Sequence, residues 1–144
     1  MTKLIVYTST FGNTKKIAEA IVEATGPESR LVKADELTAE MLKNVDFAFV
    51  GSPTIAWNYA PGFGKVFDVI KSANLPGLKT AAFDTGVKSW FSGDGAGRIA
   101  KKLGQAGCVV VGKMRFIVLG KEGPLKDGEI ERAKKWGSGL CLRV

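Results

Sequence analysis

A cluster of hydroxyl and amide side chains near the start of the chain is the segment best suited to bind a ligand. Residues 8–14 read Thr-Ser-Thr-Phe-Gly-Asn-Thr and follow an apolar run at residues 4–7. Beyond them, apolar residues recur at helical spacing. A loop between a strand and a helix offers backbone N–H groups and the positive end of the helix dipole to an anion. Because the segment contains no competing carboxylate, we predict a phosphate-binding loop.

The loop lacks the two common sequence patterns of nucleotide-binding loops. It has neither the Gly-Lys-Ser/Thr ending of a triphosphate-binding loop nor a Gly-x-Gly-x-x-Gly pattern. Hydroxyl and amide side chains also serve as helix caps and turn formers, which is their ordinary use. Their density in this loop favours an anion site, and the missing patterns favour a ligand with a single phosphate.

The elements that must position this loop alternate regularly along the chain. Five segments predict strands, at residues 4–7, 29–33, 47–50, 79–83 and 108–119. The last of them is interrupted or hairpin-like near Gly112, and Thr38 and Asp127 are candidate helix caps. Mostly apolar strands that alternate with helices predict a parallel sheet covered on both faces. We therefore expect one α/β domain over residues 1–144, a doubly wound three-layer sandwich.

The strand order determines which loops share an edge of this sheet. The common order for such a five-stranded sheet is 2-1-3-4-5, and ligands bind at its carboxyl edge, between strands one and three. This order brings together the loops at residues 8–14, 52–59 and 84–91. Trp57 and Trp90 could each pack against a helix, but an exposed loop aromatic can also stack on a flat ligand. The three loops together favour a planar, phosphorylated ligand.

The composition excludes several other kinds of site. The chain has 144 residues, no histidine, and two cysteines, Cys108 and Cys141, that lie far apart in the sequence. This argues against histidine-based triads, most zinc sites and a disulfide framework. No apolar run approaches the ~20 residues that cross a bilayer, and the first residues do not resemble a signal peptide. We therefore expect a cytoplasmic protein without membrane insertion.

The chain is basic, with 21 lysines and arginines against 14 acidic residues and a net charge of +7. Its lysines occur singly or in pairs, mostly in predicted helices, without a polybasic run. This pattern does not favour nucleic-acid binding. Solvated helix faces are the usual explanation of such charge, and an acidic protein partner is the functional one.

Three segments of the chain resemble the flavin-binding loops of flavodoxins. Residues 7–14 are similar to the family's phosphate loop, and residues 51–54 followed by Trp57 match the loop along one face of the flavin ring. Residues 84–86 match the start of the loop on the other face, and residues 120–137 resemble the run into the last helix. The resemblance covers essentially the whole chain and implies a flavodoxin-like, FMN-binding domain.

The resemblance also implies which residues bind the cofactor. Hydroxyls, amides and backbone N–H groups of the first loop would hold the phosphate, and Gly12 would allow close approach. Trp57, and Trp90 or Phe91, would cover the two ring faces. The full predicted set is Ser9, Thr10, Phe11, Gly12, Asn13, Thr14, Pro53, Thr54, Ile55, Ala56, Trp57, Asn58, Asp84, Thr85, Gly86, Trp90 and Phe91.

The implied function is electron transfer between redox proteins, in which FMN performs the redox chemistry. Reductases, ferredoxins and flavin-accepting enzymes are the implied partners, and the basic charge favours acidic ones. Two alternatives remain open. One is a small flavin-dependent NAD(P)H or quinone oxidoreductase on the same fold, and the other is a binding or regulatory module without flavin.

Some residues depart from the usual pattern of the family. Phe11 replaces a small residue, and Lys15 stands where many flavodoxins have an acid. The segment 54–58 contains no glycine, and Asn58 is its residue best able to adopt a positive φ. Flavodoxins are typically acidic, whereas this chain is basic.

Overall fold

A central parallel sheet carries the predicted loops. The computed structural model describes residues 1–89 and 93–143, so the predictions for Trp90 and Phe91 lie outside the described residues. Its strands are β1 (Lys3–Tyr7), β2 (Ser29–Lys33), β3 (Phe47–Ile55), β4 (Asn58–Tyr59), β5 (Lys79–Val87) and β6 (Val109–Val118). The long strands are parallel in the order β2-β1-β3-β5-β6, and β4 pairs antiparallel with the end of β3. The predicted order is confirmed, with β4 as a small addition.

The helices cover both faces of the sheet. They are α1 (Asn13–Thr25), α2 (Ala39–Leu42), α3 (Lys65–Ala73), α4 (Gly95–Gln105) and α5 (Glu129–Arg143), with a short 3-10 turn at Ala34–Glu36. Helices α1 and α5 pack on one face, and α2, α3 and α4 pack on the other. Among the described residues, no helix is both long and apolar enough to span a membrane.

The two hydrophobic cores follow from the alternation of side chains along the strands. In β1, Leu4 and Val6 belong to the core under α2, α3 and α4, while Ile5 and Tyr7 belong to the core under α1 and α5. Because both faces are covered, these strands carry apolar residues at nearly every position. Burial of this surface fixes the strand ends, from which the loops at the carboxyl edge begin.

Strand β6 differs from the sequence-based expectation. It runs without a break from Val109 to Val118, so the hairpin alternative near Gly112 is wrong. Its register against β5 shifts between Thr80, which faces Val110, and Ala81, which faces Gly112. The extra residue is accommodated as a β-bulge, which bends a strand without ending it.

Two helix starts were also predicted from the sequence. The cap at Thr38 is confirmed, because its hydroxyl oxygen accepts a hydrogen bond from the Met41 N–H at 3.3 Å. The last helix begins at Glu129, two residues after Asp127, and carries Glu129 and Glu131 in its first turn. Negative charge there suits the positive end of the helix dipole.

Candidate ligand-binding site

A cavity of about 600 Å³ opens at the carboxyl edge of the sheet, where β1, β3 and β5 end. This is the switch point of the strand order, where ligands bind in doubly wound sheets. The lining residues come from all three predicted loops and from the segment after β6. They are Ser9, Thr10, Phe11, Asn13, Thr14, Pro53, Thr54, Ile55, Ala56, Thr85, Gly86, Val87, Val118 and Lys121.

The first loop ends at the N-terminus of α1. Gly12 has a φ of 90°, which a glycine adopts without strain, and the first helical hydrogen bond runs from the Lys16 N–H to the Gly12 carbonyl. The N–H groups of Asn13 and Thr14 precede that bond, so they have no acceptor within the helix. They are therefore available to an anion at this end of the cavity.

Ser9 organises the same loop with its side chain. Its hydroxyl oxygen accepts hydrogen bonds from the Gly12 N–H at 3.0 Å and from the Lys15 N–H at 3.3 Å. An oxygen that accepts two N–H groups keeps its own proton for donation. Ser9 thus combines a capping role with the ability to donate to a bound anion.

Two side chains of the first turn connect the loop to its neighbours. The hydroxyl oxygens of Thr14 and Thr85, both buried, lie 2.8 Å apart and share a hydrogen bond. The Asn13 side-chain amide donates to the Glu122 carbonyl at 3.1 Å. These bonds hold the first loop against the third loop and against the segment before α5, and they shape this part of the cavity wall.

The second loop is a tight hairpin between β3 and β4. Ile55 pairs with Asn58, and the two residues between them, Ala56 and Trp57, have φ values of 49° and 68°. Positive φ at both central positions defines a type I′ turn, which normally uses asparagine and glycine. Asn58, the residue of this segment best able to adopt a positive φ, does not adopt one, because it lies in β4; its side-chain oxygen accepts the Tyr59 N–H at 2.8 Å.

One aromatic residue in each of the first two loops, Phe11 and Trp57, is exposed. Trp57 is 60% exposed and Phe11 47% exposed. Phe11 lines the cavity, whereas Trp57 lies outside the lining, and its backbone forms a parallel bridge with Gly93. Both rings therefore lie where a ligand or a partner protein could contact them.

The third loop separates into a cavity side and a buried side. Thr85 and Gly86 line the cavity, whereas Asp84 points to the opposite face and is fully buried. Its carboxylate forms an ion pair with Arg115, with 2.6 Å between Nη2 and Oδ2, and accepts the Thr54 hydroxyl at 2.5 Å. The Asp84 side chain is thus part of the scaffold beneath the cavity.

Sequence reasoning missed part of the site. Val87, Val118 and Lys121 line the cavity but were not predicted, and Arg115 supports it from below. Val118 and Arg115 belong to β6, and they could have been found by aligning β6 with β5 in register. Lys121 follows β6 in the segment that resembles the family, which could have marked it.

Neither a metal site nor a thiol lines the cavity in the part of the chain that the structure describes. No group of histidine, cysteine or acidic side chains among residues 1–89 and 93–143 could hold a metal ion. Burial raises the pKa of the Cys108 and Cys141 thiols. The first belongs to one core and the second packs against the other, away from the cavity lining.

Comparison with known proteins identifies the family. A model of the Flavodoxin family matches residues 5–136. The chain belongs to the flavodoxin family. A flavodoxin from Maridesulfovibrio salexigens is 30% identical over 153 aligned positions, which cover 98% of this chain and 97% of the relative.

Solved flavodoxin structures agree with the observed fold. A flavodoxin from the domain Archaea superimposes with a TM-score of 0.81 at 25% identity and covers 99% of this chain and 98% of its own. Flavodoxin 1 from Bacillus cereus has a TM-score of 0.77 at 22% identity, over 100% of this chain and 99% of its own, and shows the fold alone. Family and fold together support a flavodoxin-type electron carrier.

Proposed function

We propose that this protein is an electron carrier that binds FMN in the cavity at the carboxyl edge of its sheet, with residues 1–144 as one FMN-binding domain. The observation that carries the proposal is a cavity lined in one part by donors at the start of α1 and in another by apolar residues. FMN is divided in the same way, with a phosphate at one end and a flat ring at the other. When bound, the flavin would accept and release electrons, while the chain would bind and orient it.

The phosphate end would be formed by the start of α1. Ser9, Thr10, Asn13 and Thr14 line the cavity around the start of α1. The hydroxyls of Ser9, Thr10 and Thr14 and the N–H groups of Asn13 and Thr14 would donate to the phosphate. Donors at a helix N-terminus stabilise a negative charge through both hydrogen bonds and the helix dipole. Lys121, which also lines the cavity, would offset part of the phosphate charge.

The ring would lie in the apolar part of the cavity. Pro53, Ile55, Ala56, Val87 and Val118 supply walls without charge. Such walls exclude water and favour the neutral ring over a charged form of it. Trp57 at the mouth, with Trp90 and Phe91 of the third loop, would complete the cover of the two ring faces.

A ligand titration tests the proposal directly. We expect the purified protein to bind FMN, and Thr14→Ala to weaken FMN more than riboflavin because only FMN carries the phosphate. Fluorescence quenching of the flavin on addition to apoprotein gives both dissociation constants. The matched control is Thr25→Ala at the far end of α1, where the hydroxyl donates to the Ile21 carbonyl at 2.7 Å. The control should lower stability without changing the ratio of the two constants, and equal losses of both flavins in Thr14→Ala would contradict the phosphate assignment.

The partners would be acidic redox proteins in the cytoplasm. Lys15, Lys88 and Lys121 are exposed around the cavity mouth, and no carboxylate of the described residues lies within 4.0 Å of their amines. Exposed Phe11 and Trp57 add an apolar contact area to this basic rim. A surface of this kind attracts a partner with negative charge around its own redox centre.

An enzyme assay separates a carrier from a flavin-dependent oxidoreductase on the same fold. We expect the FMN-loaded protein to oxidise NADH or NADPH only when a separate reductase is added. Steady-state turnover of either nucleotide by the purified protein alone would overturn the carrier function.

A further inference from the structure

A buried ion pair lies beneath the cavity and connects two of its loops. The Arg115 guanidinium donates to the Asp84 carboxylate through Nε, at 3.2 and 3.1 Å, and through Nη2, at 2.6 Å. Asp84 is fully buried, and only 20% of the Arg115 side chain is exposed. Strands β5 and β6 place the two residues directly opposite each other in register.

The same guanidinium reaches two residues that line the cavity. Its Nη2 donates to the Thr54 hydroxyl oxygen at 3.0 Å, and its Nη1 donates weakly to the Val87 carbonyl at 3.5 Å. Thr54 lies at the end of β3 and Val87 at the end of β5, and both line the cavity. The guanidinium therefore links the ends of these two strands where they form the cavity wall.

Thr54 is held by a complete set of hydrogen bonds. Its hydroxyl donates to Asp84 Oδ2 at 2.5 Å and accepts from Arg115 Nη2 and, at 3.2 Å, from the Gly95 N–H at the start of α4. A hydroxyl with one donated and two accepted bonds has a single orientation. The position of Thr54 in the cavity wall is thus determined by the ion pair and by α4.

A second ion pair holds the backbone of the arginine. Arg132 Nη1 donates to the Arg115 carbonyl at 2.9 Å and to Glu129 Oε2 at 2.7 Å. Glu129 Oε2 also accepts the Ile117 N–H at 2.6 Å. The last residues of β6 are therefore fixed by α5, which leaves Arg115 little freedom to shift.

Stability alone does not explain a buried pair of this kind. Desolvation of two charges cancels most of their attraction, and an apolar pair of similar size is commonly as stable or more stable. The pair is better explained by what it positions and by the charge balance that it maintains next to the ligand.

We propose that Asp84 and Arg115 form a charge-neutral clamp that positions Thr54 and Val87 against the flavin ring and balances the charge beneath it. This inference rests on the proposed function. The clamp acts on the ring and not on the phosphate, because its contacts lie on β3, β5 and β6, away from the start of α1. Arg115 and Asp84 are positioning residues.

The clamp's charges predict opposite effects on the midpoint potential of the bound flavin. Reduction adds negative charge to the ring, so a nearby uncompensated cation favours it and an uncompensated anion opposes it. Asp84→Asn should therefore raise the potential, and Arg115→Gln should lower it. The double variant should lie closer to the wild type than either single variant, whereas a merely structural role would move both single variants in the same direction.

A milder variant keeps the test valid if the charge variants fail to fold. Thr54→Val preserves shape and the ion pair but removes the hydroxyl. We expect it to weaken FMN and riboflavin by the same factor, roughly 3- to 10-fold, because the three hydrogen bonds that position this part of the cavity wall are lost. Thr80→Val is the matched control, since Thr80 is a buried residue of the same strand as Asp84, and its hydroxyl donates to the Val109 carbonyl at 3.4 Å, outside the cavity lining.

Flavin titrations and redox titrations of these variants distinguish a clamp on the flavin ring from a merely structural role of the ion pair. The clamp is supported if Thr54→Val weakens both flavins more than Thr80→Val and if the charge variants that fold shift the potential in opposite directions. It is overturned if the two threonine variants behave alike, or if Asp84→Asn and Arg115→Gln shift the potential in the same direction. A wild-type protein that binds neither flavin would instead overturn the proposed function, and the clamp with it.

Discussion

The hairpin turn at Ala56 and Trp57 shows how single residues at this site differ from what their sequence favours. Both adopt positive φ, 49° and 68°, although neither is glycine or asparagine. Non-glycine residues in this conformation cost roughly 1–2 kcal/mol each. The pairing of Ile55 with Asn58 on either side of the turn maintains it. Strained backbone of this kind is concentrated at functional sites.

Replacing the strained alanine should stabilise the protein. Ala56→Gly relieves the positive φ at the cost of a more flexible unfolded chain, so we expect the free energy of unfolding to rise by about 0.5–1 kcal/mol. Urea denaturation of the apoprotein measures this change. Ala106→Gly is the control, because Ala106 has an ordinary φ of −84°. This variant should lower the free energy of unfolding by a similar amount. A loss of stability in both variants would show that the turn is not strained.

A site residue could be predicted from the sequence when its role depends on residues close to it in the chain. The hydroxyls and amide of residues 8–14 could be found because they sit between a strand and a helix. The Asp84–Arg115 pair could not, because its two members are separated by 31 residues and meet only through the register of β5 and β6. Positive φ at Ala56 was missed for the same reason, since the pairing of β3 with β4 imposes it against local preference.

Among the elements, the start of α4 packs closely against Thr54 and Asp84 beneath the cavity. Gly95 is buried, and its N–H donates to the Thr54 hydroxyl oxygen at 3.2 Å. A Cβ at this position would overlap Thr54 Oγ1 and approach Asp84 Oδ2 to 3.1 Å. Glycine is therefore required where the helix meets the ion pair.

Two glycine-to-alanine variants in α4 separate the effect of this close contact on stability from the effect of helix propensity. Gly95→Ala should lower the free energy of unfolding by about 1–3 kcal/mol, because the methyl group forces the helix away from Thr54. Gly104→Ala, near the other end of the helix with open space around it, should raise the free energy by up to about 1 kcal/mol. Urea denaturation compares the two variants. Equal gains in both would mean that α4 can shift without cost.

The arrangement of elements was largely predictable because it follows from local patterns. Apolar strands alternating with helices indicated the parallel sheet, and the commonest order for such sheets was the observed one. The exceptions are features set by neighbours in the sheet. The bulge that keeps β6 continuous and the two-residue strand β4 both depend on pairing with an adjacent strand, which local sequence does not specify.

At the scale of the whole molecule, charge is the property that distinguishes this chain from the typically acidic flavodoxins. Its net charge is +7. Some of the basic residues are balanced in ion pairs, such as Arg115 with Asp84, Arg132 with Glu129 and Lys134 with Glu23. Lys15 and Lys121 at the cavity mouth are exposed and have no carboxylate within 4.0 Å among residues 1–89 and 93–143. These two lysines place positive charge at the mouth, and we expect it to favour negatively charged reaction partners.

Small charged oxidants test the sign of this field without a known partner. As ionic strength falls, screening of the charges at the mouth becomes weaker. We therefore expect the reduced, FMN-loaded protein to react faster with the anion ferricyanide and more slowly with the cation cobalt tris-phenanthroline. Lys15→Glu/Lys121→Glu should lower the ferricyanide rate constant by about 10-fold at low salt. Stopped-flow measurement of flavin reoxidation gives both rate constants.

The control for this experiment carries the same change in net charge at another place. Lys101→Glu/Lys102→Glu alters two exposed lysines in the second half of α4, near the helix end that points away from the cavity. If net charge alone governs the reaction, the two double variants will slow ferricyanide equally, and the basic rim has no special role. If the field at the mouth governs it, the rim variant will slow the anion more and speed the cation more than the control. The second result would show that positive charge at the cavity mouth favours negatively charged reactants, as an acidic partner would be.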